Sequence, residues 1–182
     1  MLIFVISFCA FALLDVLSKT FVFLGENGVI IPNLFSVYKT INTGAGWGFL
    51  SGAGVFARIF FCALAVAVLV IVIVWFFRRR DNNKFLAISL GMFCGGVFGN
   101  LYDRAVYGGV RDFISFDLIN APFFNTSFNL ADAFITVGAV LLLVWFLKNY
   151  KTLDEEAESE AKTQRDTPSA AEGEAKNEDK AK

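Results

Sequence analysis

Apolar residues fill four stretches of this chain almost without a break: Leu2 to Leu24, Ile59 to Phe77, Phe85 to Tyr102, and a run that ends at Lys148. A hydrocarbon core of about 30 Å needs roughly 20 such residues in a helix, so each stretch predicts a membrane span. The second is the cleanest, with nineteen uncharged residues between Arg58 and Arg78. The fourth has only fifteen between Asp132 and Lys148, or about 22 Å of helix. It reaches across only by starting near Asn129, which sets Asp132 at the edge of the apolar slab.

The first run lacks a basic leader and a small-residue cleavage site, so it is expected to stay as a membrane helix. In the third, Gly91, Gly95 and Gly99 recur every fourth residue and make a smooth face for a close helix contact. Between the first two runs, residues 25–55 are polar and glycine-rich. Alternation from Leu34 to Ile41 predicts a short strand ending at Asn42. Gly44, Gly46 and Gly48 lack the strand–loop–helix context of a nucleotide loop and are expected to let the backbone pack closely beside Trp47, an interfacial aromatic. The fold class that follows is an all-α integral membrane protein of four transmembrane helices with a small β element outside the membrane.

Charge orients this arrangement. Arg78, Arg79, Arg80 and Lys84 make the densest basic loop, which the positive-inside rule puts in the cytoplasm, with both termini on the same side. Residues 1–150 carry ten Lys/Arg against seven Asp/Glu, whereas 151–182 carry six against ten. The body, 1–150, is read as one membrane domain. The acidic remainder, 151–182, has too few bulky apolar groups for a core and is expected to be a disordered cytoplasmic tail.

Composition narrows the chemistry. The chain is 56% hydrophobic and contains no histidine, which removes Ser/His/Asp and Cys/His nucleophile sites and most zinc sites. Cys9, Cys62 and Cys94 lie singly in apolar runs and read as packing residues. Acid–base work falls to carboxylates, and charges inside spans need a reason. Asp15 and Lys19, four apart on one face of the first helix, form an intrahelical pair, with Lys19 able to snorkel outward. If residues 110–116 are extended, Asp112 shares a face with Val110, Ile114 and Phe116, while Arg111 points the other way. Asp112 and Asp132 then meet at one membrane face. Two close carboxylates share one proton, so one can take a proton from water while the other protonates a peptide carbonyl. Asn129 and Asp132 also read as N-cap and third residue of a capping box. Spacing alone leaves three readings open: a catalytic pair, a proton or ion site, or plain capping. A small proton-coupled transporter or channel subunit, with Asp15, Lys19 and Asp132 as relay, is the alternative function.

Five blocks narrow these choices. DVLSK at 15–19, NTGAGWGF at 42–49, GNLYDR at 99–104, GGVRDFI at 108–114 and FNLADAF at 128–134 together resemble, in order, the lipoprotein signal peptidase or signal peptidase II family. The resemblance covers nearly all of 1–150. It implies an aspartic endopeptidase of the bacterial cytoplasmic (inner) membrane, with its site on the extracytoplasmic side. Such an enzyme removes the signal peptide from diacylglyceryl-modified prolipoproteins, cutting before the lipidated cysteine. By the same resemblance Asp112 and Asp132 are catalytic, Asn42, Asn100, Arg104 and Asn129 line the substrate site, and Asp15 and Lys19 are a structural polar pair. It implies no metal or cofactor, prolipoprotein and membrane lipid as partners, no nucleic acid, and a monomer. The chain departs from the family pattern at Gly46 and at Arg111, where an aliphatic residue is common, and Arg111 is expected to alter local charge and substrate preference.

Overall fold

The structure, a computed structural model, describes residues 1–32, 34–44, 50, 52–79, 82–116 and 127–166, with only the backbone described for 151–166. Gly46, Trp47, Gly48, Arg80 and Asp117 lie outside the described residues. Four helices there are long and apolar enough to cross a membrane: α1 (Leu2–Leu24), α2 (Gly54–Arg79), α3 (Lys84–Tyr107) and the Leu130–Tyr150 part of α4 (Leu130–Asp166). α3 is the central one, with 61% of its apolar window buried against 22%, 11% and 17% for the others. The rest of the apolar surface of α1, α2 and α4 faces outward, as lipid-facing helices require.

Glycine decides how α3 sits. A methyl group at Gly91 would meet Ser7 Cβ and the backbone of Phe4 and Phe8, and one at Gly95 would meet Phe11 and Ala12. The glycine face expected from the sequence is therefore the α1–α3 contact. On the other side of α3, Gly96 lies against Ala131 and Ile135 of α4.

Among the described residues, four antiparallel strands in the order β1-β2-β3-β4 form the sheet: β1 (Gly28–Ile31), β2 (Phe35–Asn42), β3 (Val110–Phe116) and β4 (Ser127–Phe128). The strand ending at Asn42 appears as read, and β1 is an addition. Its signal is a β-branched run, Val29 to Ile31, followed by Pro32, and the turn closes by a hydrogen bond from Leu34 N to Ile31 O at 3.1 Å. The connection from α3 to β3 is a glycine pair. Gly108 ends the helix in the left-handed region at φ 78° and donates to Arg104 O, a conformation that glycine adopts without penalty. At Gly109 a side chain would collide with Ile41 and Asn42 O, so this residue lets β3 enter beside β2.

Chain packing separates two units, Met1–Leu143 and Val144–Lys182. In the second, the helix continues to Asp166. Over 151–166, Ala, Glu, Lys and Gln favour that helix. Residues 167–182 lie outside the described residues.

Candidate active site

At the end of α3 nearest the sheet, four elements bring polar groups together. β3 supplies Asp112, only 2% exposed. Register explains one of its partners. Thr40 pairs with Asp112 and Asn42 with Val110, so Asn42 is the diagonal, same-face neighbour of Asp112. Asn42 Nδ2 donates to Asp112 Oδ2 at 3.1 Å. On the other side, Ser115 and Ser127 are opposed in β3 and β4 with their hydroxyls 2.6 Å apart. That pairing delivers the chain to Asn129, whose Nδ2 donates to Asp112 Oδ1 at 2.6 Å.

Asn129 also begins α4. Asp132 N donates to Asn129 Oδ1 at 3.2 Å, and Asn129 N donates to Asp132 Oδ2 at 3.1 Å. This is the reciprocal capping box read from the sequence. The same residue therefore caps the helix and contacts both carboxylates, so the capping and pairing readings coexist. Asp132, half-buried, receives a further bond on Oδ1 from Asn100 Nδ2 of α3 at 2.8 Å. Burial first, and next the negative charge of Asp132, push the Asp112 carboxyl up to about 6, although the amides of Asn129 and Asn42 pull it partly back.

Beneath this pair lies a fully buried ionic chain. Lys19 is not exposed at all. Its Nζ lies 2.7 Å from Asp15 Oδ2, 3.4 Å from Asp103 Oδ2 and 3.0 Å from Asn100 Oδ1. The expected outward snorkel is corrected: two carboxylates and an amide oxygen hold the ammonium inward. Asp15 uses its other oxygen to accept from Ala131 N, one of the free donors in the first turn of α4, at 2.8 Å. Gly99 is where this acid fits, since a methyl there would strike the Asp15 carboxylate.

Asp103 and Arg111 are the partners that sequence reasoning missed as a pair. Arg111 donates from Nε and Nη2 to Asp103 Oδ1 at 3.1 and 2.8 Å, and from its backbone N to Asp103 Oδ2 at 2.9 Å. Its guanidinium also stacks 4.2 Å from the Tyr107 ring. Contrary to expectation, both faces of β3 are buried around this point. Asp112 meets amides rather than apolar groups, and Arg111 is committed to Asp103. The pairing signal was weak, being a helix-terminal acid eight residues before a strand-initial arginine across two glycines.

Arg104 rims the cluster. It donates from Nη1 to Asn100 O and from Nη2 to Gly44 O at 3.4 and 3.2 Å, and its guanidinium lies 5.0 Å from the Phe61 ring. Its buried Nε–H has no acceptor among the described residues. All eight residues singled out from the sequence (Asp15, Lys19, Asn42, Asn100, Arg104, Asp112, Asn129 and Asp132) thus belong to one connected cluster. Asn100 and Asn129, both buried, lie under the carboxylates rather than on an open surface.

Known proteins share this frame. Two solved structures, each described as a bacterial membrane enzyme studied by the in meso method, superpose on it. One gives a TM-score of 0.69 at 25% identity over 82% of this chain and 90% of its own. The other gives 0.66 at 26% identity over 80% and 93%. A protein of Ectopseudomonas mendocina (strain ymp) named "Lipoprotein signal peptidase" is 43% identical over 129 residues, 71% of this chain and 76% of that one. One of the same name from Pseudomonas aeruginosa (strain UCBPP-PA14) is 41% identical over 143 residues, covering 76% and 84%. The family model described as "Signal peptidase (SPase) II" matches residues 7–148, a range that takes in most of each of the four apolar helices and every member of the carboxylate cluster, and the chain belongs to that family.

Proposed function

We propose that the chain removes signal peptides from diacylglyceryl-modified prolipoproteins with Asp112 and Asp132 as its catalytic pair. The observation that carries this reading is the shared scaffold of the two acids: Asn129 contacts both, and each has a further amide donor, Asn42 or Asn100. Asp112, the more buried, holds the shared proton, and Asp132 serves as the base. Asp132 takes a proton from water as the water oxygen attacks the carbonyl carbon of the residue before the lipidated cysteine. Asp112 gives its proton to the carbonyl oxygen. Collapse of the resulting diol passes the Asp132 proton to the leaving amine of the cysteine and returns a hydroxyl proton to Asp112, so the pair ends as it began. Arg104, whose Nε–H has no acceptor among the described residues, orients a substrate carbonyl.

The enzyme acts as a monomer in the bacterial inner membrane. Both termini and the Arg78–Lys84 side face the cytoplasm, and the sheet and the acids face outward, in contact with lipid and with the substrate's acyl chains. Residues 1–150 form the peptidase domain, and 151–182 are a cytoplasmic appendage. The relay reading loses ground because Asp15 bonds the first turn of α4 and Lys19 reaches Asn100, so these charges gather at one end instead of spacing through the bundle.

The test is cleavage of a lipidated prolipoprotein peptide by the purified protein in micelles. Asp112→Asn and Asp132→Asn are each expected to lower kcat by about 1,000-fold or more. Normal processing by either variant overturns the mechanism.

A further inference from the structure

Resting on that catalytic reading, we infer that Lys19 is a positioning residue for the reaction: it fixes the amide orientation of Asn100, so that Asn100 donates to Asp132. The ionic chain runs Asp15, Lys19, Asp103, Arg111, two acids and two bases in alternation, and is neutral in itself. A helix–helix ion pair needs no more than that. Yet the ammonium, which has three donors and no acceptor, directs one of them to Asn100 Oδ1 at 3.0 Å.

This contact decides which way the amide faces. Asn100 Oδ1 also accepts from Asn129 Nδ2 at 3.3 Å, and Asn100 Nδ2 donates to Asp132 Oδ1 at 2.8 Å. A flipped amide would set its NH₂ group against an ammonium and its carbonyl oxygen against a carboxylate. Both contacts are repulsive, and the site is closed to water, since Lys19 and Asn129 are fully buried and Asn100 is 8% exposed. Without Lys19 the oxygen is held only by the longer Asn129 bond, and the donor to Asp132 is no longer enforced. The effect reaches across three elements: a charge on α1 sets an amide on α3 that holds a carboxylate on α4.

The role is tested by a cycle of variants assayed on the lipidated peptide, with wild-type cleavage and its loss in Asp132→Asn establishing the underlying reaction first. Lys19→Met is expected to lower kcat by about 10- to 100-fold with KM changed less than about twofold. Lys19→Arg is expected to restore much of the loss. In an Asn100→Ala background, Lys19→Met should cost little more, because its route to Asp132 is already gone. Losses that multiply in the double variant, or a fall in activity fully matched by the loss of folded protein, overturn the inference. Should Lys19→Met fail to fold, Asp15→Asn/Lys19→Met leaves the Asp103–Arg111 pair neutral, and the same cycle is run on it. Failure of the wild type to cleave would instead sink the peptidase reading.

Discussion

Asn129 donates to Asp112 Oδ1 at 2.6 Å while its backbone N–H and side-chain oxygen close the capping box with Asp132. One residue thereby ties a strand acid to a helix acid. Its two duties separate by substitution. Serine caps a helix about as well as asparagine, but its hydroxyl is too short to accept from the Asp132 N–H and donate to Asp112 at once. Asn129→Ser is expected to keep the thermal stability within about 1 kcal/mol of wild type and still lose about 100-fold in kcat. Asn129→Ala should lose both. A serine variant with normal turnover would show that capping is the whole role.

Asp112 gives the site a pH signature. Its carboxyl is raised from 3.8 to about 6, chiefly by burial and then by Asp132. The folded chain therefore holds this proton more tightly than the unfolded chain, and the associated stability is present below about pH 4 and lost as pH rises through 6. That shift corresponds to about 3 kcal/mol. Asp112→Asn escapes the penalty but turns its NH₂ towards one of two asparagine donors, so a net gain of about 1–2 kcal/mol is expected at pH 7. The gap should close towards pH 4 in thermal unfolding of the micellar protein. In the active enzyme the same ionisation should set the alkaline limb of kcat/KM near pH 6, with the kcat limb higher because bound substrate buries the pair further. A stability gap that widens on acidification would contradict this assignment.

The glycine face offers a contrast between packing and chemistry. Gly91→Ala drives a methyl into the backbone of α1, far from the acids, whereas Gly99→Ala drives it into the Asp15 carboxylate. Overpacking at either site is expected to cost about 1–3 kcal/mol. Only Gly99→Ala should also lower kcat per folded molecule, because Asp15 holds Lys19 and the first turn of α4. Equal kcat values for the two folded variants would sever Asp15 from catalysis.

What the sequence disclosed follows from what local patterns encode. Hydropathy marked the spans, and the shortness of the fourth placed its start near Asn129, one residue before α4 begins. The four-residue glycine period marked the α1 contact. Strand alternation found β2 but missed β1, whose four residues are all exposed and so carry no burial pattern. The inward turn of Lys19 was hidden because its partners Asn100 and Asp103 are about eighty residues away in the chain. A snorkelling lysine and a buried one look alike until the facing helix is known. Arg111 misled for a related reason: strand alternation assumes one apolar and one polar face, and β3 is covered on both.

Arg111 provides the last prediction. Its side chain and backbone make three hydrogen bonds to Asp103 immediately before Asp112 in the chain, so it anchors the strand at the residue where the acid must be aimed. Arg111→Leu leaves Asp103 buried with one cation instead of two, and breaking one partner of a buried pair typically costs about 3–5 kcal/mol. Lysine should not substitute well, since it lacks the planar fork that meets one carboxylate oxygen twice. Replacing both partners removes the orphaned charge, and such exchanges are often neutral. Asp103→Asn/Arg111→Leu is therefore expected to melt higher than Arg111→Leu alone, with Lys19 still paired to Asp15. Turnover should remain low in both, because neither restores the side-chain clamp beside Asp112. Thermal unfolding and peptide cleavage measured on the same preparations separate the two effects, and a double variant no more stable than the single one would mean that the Asp103 charge is compensated by Lys19 alone.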